Sequence, residues 1–283
     1  MISIPKGSYQ IGTDEEIGFV NDNEGPKITV HLPAFLIDET TVTNRAFKEF
    51  VDDTGYITES EKFAWSFVFH YFLSEETKRN SQTVPGLKWW YAVPGADWLH
   101  PEGPGSTIKE RMDHPVVQVS RNDAIAYCQW ANKRLPTEAE WEVAAKGGTS
   151  FEKYPWGENF LENDRYHCNI WQGNFPVENS LEDGFANTAP AKYYESNGYG
   201  LYQALGNVWE WCLNPARINL DEFTKNDRDF FWKNYQQVDD EVYATRGGSF
   251  LCHQSYCKRY RIAARNGNTG MSAANNLGFR CVR

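Results

Sequence analysis

The sequence predicts a single loop-rich domain in which a modest number of helices accompanies little clear strand. The 283 residues contain no tandem repeat, low-complexity tract or Ser/Pro/Gly-rich linker that would separate two units. Few segments have a clear helical period, and the residues after Gly148 keep no sustained period of 2 or 3.6. Global disorder is excluded, because 41% of the residues are hydrophobic and 15% aromatic. We therefore expect one domain over residues 1–283.

Capping signals and apolar spacing predict three helices. The first begins at Thr43 or Asn44 and ends near Gly55, and the others begin at the capping boxes 120–123 and 137–140. The second helix places Cys128 on its apolar face, and the third ends at the glycine pair 147–148.

Strand signals are weaker. The alternating β-branched segment Lys27–Pro33 predicts a strand that leads into Ala34–Asp38. The longest mostly apolar run, Phe63–Leu73, is too short to span a membrane and is interpreted as buried core.

The charge balance limits the partners. Asp and Glu outnumber Lys and Arg by 38 to 28, and the net charge of -10 opposes binding to phosphate backbones. The N-terminus has no basic region followed by a long apolar stretch, as a secretory signal would. We expect a cytoplasmic monomer that binds neither nucleic acid nor membranes, although a secreted chain after signal removal would have the same sequence.

A pair of cysteines near the C-terminus is the strongest chemical signal. Cys252 and Cys257 are separated by four residues, wider than a Cys-x-x-Cys motif, and no second Cys/His pair follows to complete a zinc site. Two thiolates suit a soft ion such as Cu(I), and the basic residues Lys258, Arg259 and Arg261 favour the thiolate form. A cycling disulfide, a structural disulfide and two inert core thiols remain open.

Acidic residues beside Gly and Asn suggest calcium. Asp183–Phe185 and Asn207–Glu210 offer carboxylate and carbonyl oxygens of the kind that Ca²⁺ accepts. Solvated turns with ordinary side-chain hydrogen bonds are an equal alternative.

The segment Gly247–Arg265, which contains both cysteines, resembles the active-site segment of the formylglycine-generating enzymes, the sulfatase-modifying factors. The resemblance extends over nearly the whole chain through five further segments: Ile4–Thr13, Lys133–Glu142, Asn169–Gly173, Gly206–Trp211 and Asn276–Cys281.

The resemblance implies a fold and a reaction. The fold would be a single mixed α/β domain with little regular secondary structure and a distant likeness to C-type lectins. The enzyme would use O₂ to oxidise the cysteine of an unfolded sulfatase segment, Cys-x-Pro-x-Arg, to Cα-formylglycine. Sulfatases need this aldehyde hydrate as their nucleophile.

The resemblance also implies a copper site. Cys252 and Cys257 would hold Cu(I), and the substrate thiol would add a third sulfur ligand. Ser249 corresponds to a serine that lines the oxygen site, and Trp209 to a pocket tryptophan. Packing roles for Ser249 and Trp209 are the alternative.

A peptide groove is implied as well. Tyr256, Arg265 and Asn276 correspond to positions at the groove of the family. Arg265 could instead pair with an internal carboxylate.

Two calcium sites are implied in addition. The residues of the first are Asn169, Ile170, Asp183 and Phe185. The residues of the second are Gln203, Gly206, Val208 and Glu210. The second set is less secure, since the family has Asn at the position of Gln203 and the extra methylene shifts the amide oxygen.

The other cysteines have weaker implications. Family members with disulfides join the positions of Cys128 and Cys281, a bridge that could stay open in the cytosol, and a second known bridge is impossible because its positions are Ala145 and Ile262. The two remaining cysteines are interpreted as core thiols. They are Cys168 and Cys212.

The sequence leaves three alternatives to a copper oxidase. A non-catalytic paralogue that binds sulfatases or other peptides is expected to lack one or both thiols, and this chain keeps both. A sulfoxide synthase of the ergothioneine type needs an added helical bundle with an iron-binding His triad, for which the chain has no room. Oxidised-cysteine chemistry without metal would keep the same substrate and product.

Overall fold

The computed structural model describes residues 1–236 and 240–283. The helices are α1 (Asn44–Thr54), α2 (Glu59–Phe63), α3 (Glu75–Arg79), α4 (Arg121–Trp130), α5 (Glu138–Lys146), α6 (Glu222–Lys225) and α7 (Arg228–Tyr235), with 3-10 turns at Val20–Asp22 and His70–Phe72. The strands are β1 (Ile2–Ile4), β2 (Gly7–Ile11), β3 (Ile28–Leu32), β4 (Phe35–Ile37), β5 (Trp65–Phe69), β6 (Gln82–Val84), β7 (Leu87–Pro94), β8 (Gly173–Asn174), β9 (Glu178–Asn179), β10 (Trp209–Pro215), β11 (Val242–Arg246), β12 (Arg265–Thr269) and β13 (Leu277–Gly278).

The strands form several small sheets. The largest has the order β12-β11-β10-β13, in which β10 and β13 are parallel and the other pairs antiparallel. A second antiparallel sheet has the order β5-β7-β6, and β1-β4, β2-β3 and β8-β9 form two-stranded pairs. The mixed, loop-rich architecture predicted from the sequence is therefore confirmed. Among the described residues, no helix is both long and apolar enough to cross a membrane.

All three predicted helices are confirmed as α1, α4 and α5. Thr43 caps α1 and Gly55 ends it with φ of 66°. The capping boxes of α4 and α5 are both formed, in each case with the N-cap side chain and the third helical residue bonded to each other's backbone. These local signals decide where the helices begin and end.

The strand predictions are confirmed in part. The predicted strand corresponds to β3 and leads into β4. The interpretation of Phe63–Leu73 as uniformly buried core is wrong, because Phe63 is 46% and Trp65 38% exposed. This segment contains β5, whose side chains point alternately to the two faces of its sheet, and Trp65 and Phe67 lie on the more exposed face.

A buried ion cluster fixes the large sheet to α5. Arg265 on β12 donates to both carboxylate oxygens of Glu138, at 3.0 and 2.6 Å. Arg246 on β11 donates to Glu138 at 3.2 Å and to Glu142 at 2.6 Å. All four side chains are buried. Because isolated buried charges are very costly, each member depends on its partners.

This cluster predicts an acid-sensitive contribution to stability. Burial alone would raise the pKa of Glu138, but the Arg265 and Arg246 guanidiniums lower it to about 2. The stabilisation is therefore complete above the ordinary pKa of Glu, about 4.3, and is lost as the pH falls toward 2. We expect Glu138→Gln to lower the free energy of unfolding by about 3–5 kcal/mol at pH 7 and by less at pH 3.

Urea unfolding at both pH values measures this difference. Glu75→Gln is the matched control, because Glu75 forms an exposed pair with Lys78 on α3 and should change the stability little. A Glu138→Gln penalty that is small at pH 7, or that grows on acidification, would contradict the prediction.

Candidate functional site

A glycine pair directs the chain from β11 into the cysteine segment. Gly247 and Gly248 follow Arg246 with φ of 93° and 76°. A Cβ on Gly247 would lie 2.4 Å from the carbonyl oxygen of Ala204, so no larger residue fits without movement of the backbone. The pair thus allows a sharp turn beneath the end of the sheet.

Backbone hydrogen bonds then hold both cysteines. The amide of Cys252 donates to the Ser249 carbonyl and that of Cys257 to the His253 carbonyl, each at 2.8 Å. The carbonyl of Cys252 accepts from the Trp171 amide at 3.0 Å. Both cysteines are free thiols and are only 1% and 7% exposed.

The cysteines line a cavity of about 370 Å³ that is open on one side. Four further residues that the resemblance singled out line the same cavity: Ser249, Trp209, Tyr256 and Asn276. They come from the cysteine segment, the start of β10 and the residue before β13. The structure therefore brings together residues that are up to 67 positions apart in the sequence, from Trp209 to Asn276.

The two thiols differ in their electrostatic surroundings. Burial raises the pKa of Cys252 well above its ordinary value. A hydrogen bond from the Cys252 thiol lowers the pKa of Cys257, against the opposing effect of burial, and Arg259 lowers it further. The pair therefore favours one thiolate at Cys257 that accepts from one thiol at Cys252.

Arg259 is the cation that stabilises the Cys257 thiolate. It lines the cavity and is held by a two-point ion pair with Asp22 at 2.5 and 3.2 Å. Its guanidinium lies 3.9 Å from the centre of the Phe19 ring. The other two basic residues of the segment do not line the cavity: Arg261 pairs with Glu24 at 2.7 Å, and the Lys258 ammonium lies 5.7 Å from the centre of the same Phe19 ring.

A hydrogen-bonded pair forms the polar wall of the cavity. Asn276 donates to Ser249 Oγ at 2.9 Å, and the Leu251 amide donates to the same oxygen at 3.3 Å. Since Ser249 accepts both bonds, its own hydroxyl hydrogen can be donated to a molecule in the cavity. The Trp209 amide donates to the Asn276 carbonyl at 2.9 Å and so fixes the indole beside this pair.

Tyr256 forms an aromatic wall at the mouth. Its ring stacks on Phe175 at 4.7 Å and meets Trp89 edge-on at 4.8 Å. Burial raises the pKa of Tyr256, while a hydrogen bond with Trp90 partly offsets this effect. The phenol is therefore a neutral hydrogen-bonding group at neutral pH.

Arg265 lies outside the cavity, so its assignment to the peptide groove is corrected. All of its guanidinium nitrogens are engaged inside the protein, with Glu138 and with the carbonyls of Asn23 and Ile218 at 2.9 and 2.8 Å. The alternative, in which Arg265 pairs with an internal carboxylate, describes its position. Its sequence neighbour Asn266 lines the cavity instead.

The first calcium set has the character of a hard-oxygen site. Asn169 Oδ1 is buried and accepts no hydrogen bond from the residues that the structure describes. The Asp183 carboxylate is buried and accepts hydrogen bonds from the Ile170 and Phe185 amides at 3.0 Å each and from the Gln172 side-chain amide at 2.7 Å. Burial raises the pKa of Asp183, and these hydrogen bonds partly offset the effect. These residues fit Ca²⁺.

The second calcium set does not fit. Gln203 Oε1 is buried without a partner among the described residues, but the Glu210 carboxylate is fully used. Arg280 donates to both of its oxygens, at 2.6 and 2.7 Å, and the Trp141 indole donates at 2.7 Å. A cation there would have to compete with a buried guanidinium.

Side-chain clusters elsewhere supply no further metal site. Within residues 1–236 and 240–283, no group of three or more His, Cys, Asp or Glu side chains is placed to hold a metal ion. The Sγ atoms of Cys128 and Cys281 are 3.4 Å apart, and both are free thiols. Cys168 and Cys212 are fully buried.

Comparisons with known proteins identify the family. The family model described as "Sulfatase-modifying factor enzyme 1-like domain" matches residues 1–283. The chain belongs to this family. A relative from Thermomonospora curvata, named formylglycine-generating enzyme, is 49% identical over 282 residues, which is 100% of this chain and 92% of the relative. A Bos taurus relative of the same name is 48% identical over 100% of this chain and 74% of its own length.

The family also contains relatives with a different name. A Mus musculus protein named inactive C-alpha-formylglycine-generating enzyme 2 is 43% identical over 100% of this chain and 85% of its own length. Among solved structures, PvdO from Pseudomonas aeruginosa is similar in fold, with a TM-score of 0.69 at 24% identity over 99% of this chain and 92% of that chain. Membership in this family is therefore compatible with both an active and an inactive protein.

Sequence reasoning missed part of the cavity. Phe67 and Phe69 line it but were assigned to buried core, and Asn266 and Asn268 carried no chemical signal.

The Arg259 contact predicts a shift in thiol reactivity. We expect Arg259→Met to raise the apparent pKa for alkylation of Cys257, because the thiolate loses its neighbouring cation. Alkylation by iodoacetamide, followed by mass spectrometry across a pH series, measures this shift. Lys258→Met is the matched control, since Lys258 is a neighbouring cation that does not line the cavity. Equal pH profiles for Arg259→Met and the unmodified protein would refute the role of Arg259.

Proposed function

We propose that this protein oxidises the cysteine of a sulfatase Cys-x-Pro-x-Arg segment to Cα-formylglycine with O₂, using Cu(I) held by Cys252 and Cys257. The observation that carries the proposal is the pair of free, buried cysteines that line one open cavity. Named formylglycine-generating enzymes that are 48–49% identical over the whole chain support the same substrate class.

The stoichiometry defines what the site must accomplish. Conversion of the CH₂–SH group with water to an aldehyde and hydrogen sulfide releases two electrons and two protons. Reduction of O₂ to water takes four electrons, so an external thiol must supply the other two. The protein must therefore bind the substrate thiol beside an oxidant and exclude competing thiols.

The cysteine pair fits a soft monovalent ion. Two sulfur donors, one already favoured as a thiolate by Arg259, form a low-coordinate site in which a substrate thiol can become a third ligand. Bound Cu(I) would supply the one-electron and O₂ chemistry that side chains lack. The two cysteines are only 1% and 7% exposed, which limits the contact of their sulfurs with bulk water.

The remaining cavity residues orient the substrate. The Ser249 hydroxyl, fixed by Asn276, can donate to an oxygen or a peptide carbonyl beside the sulfurs. The Trp209 indole and the Leu251 side chain confine the substrate side chain. Tyr256 and Asn276 can bond to an extended peptide backbone at the mouth. Such positioning converts a bimolecular encounter into an oriented reaction.

A non-catalytic peptide-binding protein of the same fold is the alternative, and the relatives named inactive keep it open. The complete thiol pair favours the enzyme.

The proposal is tested with a Cys-Thr-Pro-Ser-Arg peptide, the copper-loaded protein, air and a thiol reductant. Mass spectrometry is expected to show that the cysteine has lost its sulfur and two hydrogen atoms and has gained one oxygen, the change that distinguishes the aldehyde from serine. Cys252→Ser and Cys257→Ser should each lower kcat/KM at least 100-fold, because each removes one of the two metal ligands. Ser255→Ala is the control, because Ser255 bonds to the exposed His253 ring outside the cavity.

Binding of the peptide without conversion would establish the alternative. Conversion by protein from which copper has been completely removed would instead favour metal-free cysteine chemistry.

We further propose that Ca²⁺ occupies the first calcium set. Chelation should lower the melting temperature of the protein, since a ligand that binds the folded state stabilises it. Asn169→Ala should abolish this response, whereas Gln203→Ala should retain it, because the Glu210 carboxylate of the second set is already paired. Differential scanning fluorimetry with and without a calcium chelator measures the response. Loss of the response in Gln203→Ala alone would reverse the assignment.

A further inference from the structure

We propose that a second, apolar pocket beside the cysteine cavity binds an apolar side chain of the same substrate polypeptide, three to six residues from the reacting cysteine. The inference rests on the proposed function, because it assigns a specificity subsite to the same substrate. The pocket has a volume of about 300 Å³ and is separate from the thiols.

The pocket continues from the cysteine cavity. Phe67 on β5 lines both spaces. On the opposite side, Asn266 and Asn268 line the cysteine cavity, while Thr269 at the end of the same strand lines the second pocket. From Asn266 to Thr269, β12 advances by about 10 Å, the length of three residues of an extended peptide. A polypeptide that enters one space therefore reaches the other.

One edge strand borders this path. β12 lies at one end of the order β12-β11-β10-β13 and borders both spaces. Edge strands are common sites at which extended peptides bind. The outer edge of β5 is instead occupied by the chain itself, because the Phe67 amide donates to the Ala273 carbonyl at 3.4 Å and the Phe67 carbonyl accepts from the Asn275 amide at 3.1 Å. An extended substrate would therefore lie along β12 and meet only the side chains of β5.

The aromatic side chains of the pocket favour an apolar occupant, and the rest of the lining includes Ser60, Ser66, Thr269 and Ser272. Phe63 and Trp65 line it and are the exposed aromatic residues that the sequence had assigned to the core. Trp65 meets Phe67 edge-on at 5.0 Å, so its ring is held in place, and Met271 adds an adaptable apolar side chain. Asp240 at the same pocket disfavours an acidic occupant. An apolar side chain would remove water from these rings.

The test uses long peptides with a central Cys-x-Pro-x-Arg motif and serine at every flanking position. A single leucine is moved through the flanking positions, and kcat/KM is measured for each peptide with copper-loaded protein. We expect leucine at one position, three to six residues from the cysteine, to raise kcat/KM about tenfold over the all-serine peptide, equivalent to about 1.4 kcal/mol. Its position also shows on which side of the cysteine the pocket lies.

Trp65→Ala and Met271→Ser should each bring the ratio of kcat/KM for the leucine peptide to kcat/KM for the all-serine peptide close to one. Two variants are used because Trp65 also contacts Phe67. Phe230→Ala is the matched control: Phe230 is a comparably exposed aromatic residue on α7, away from both spaces, and its variant should keep the full ratio.

A binding series separates this inference from the proposed function. The same peptides, with serine in place of the reacting cysteine, are titrated by fluorescence polarisation, and the leucine position should again improve affinity about tenfold. The cysteine-containing peptide with serine at every flanking position could fail to be converted while leucine still improves binding in the serine-substituted series. If that improvement is lost in Trp65→Ala, the oxidase proposal fails and the subsite stands. The subsite is overturned if no position changes turnover or binding more than twofold, or if the effect survives in both pocket variants.

Discussion

The site depends on the hydrogen bonds that fix the segment from Gly247 to Cys257. On one side, buried Arg246 ties its start to Glu138 and Glu142 on α5. On the other, the Cys252 carbonyl accepts from the Trp171 amide. Because the two sulfurs sit on turns closed by their own backbone amides, their separation is set before any ligand binds. Such preorganisation avoids an ordering cost when a third sulfur enters.

Backbone hydrogen bonds also connect the cysteine segment to the first calcium set. Trp171 follows directly after Ile170, and the Asn207 amide donates to the Asn169 carbonyl at 2.8 Å while the Asn207 carbonyl accepts from the Phe250 amide at 2.9 Å. A cation at Asn169 would therefore brace the irregular backbone behind the cysteine segment. In a region with little regular secondary structure, side chains and ions must satisfy backbone groups that ladders satisfy elsewhere.

The sequence predicted the features that are decided locally. Capping boxes located α4 and α5. The assignment of Cys252 and Cys257 to a soft-metal site rather than zinc stays a prediction from their spacing. Features that depend on distant partners were not accessible in this way. Arg259 meets Asp22 across 237 positions, and the partner of Arg265 is Glu138 on another element. The exposure of Trp65 depends on which face of its sheet the rest of the chain covers, which the local sequence does not reveal.

In the proposed mechanism, Cys252 and Cys257 together hold one copper ion and leave room for a thiol from the substrate. X-ray absorption at the copper edge of Cu(I)-loaded protein tests this directly, with and without a Cys-x-Pro-x-Arg peptide. We expect two sulfur ligands in the free protein and three in the peptide complex. A copper ion bound only by nitrogen and oxygen ligands, or a sulfur shell unchanged by the peptide, would contradict the mechanism.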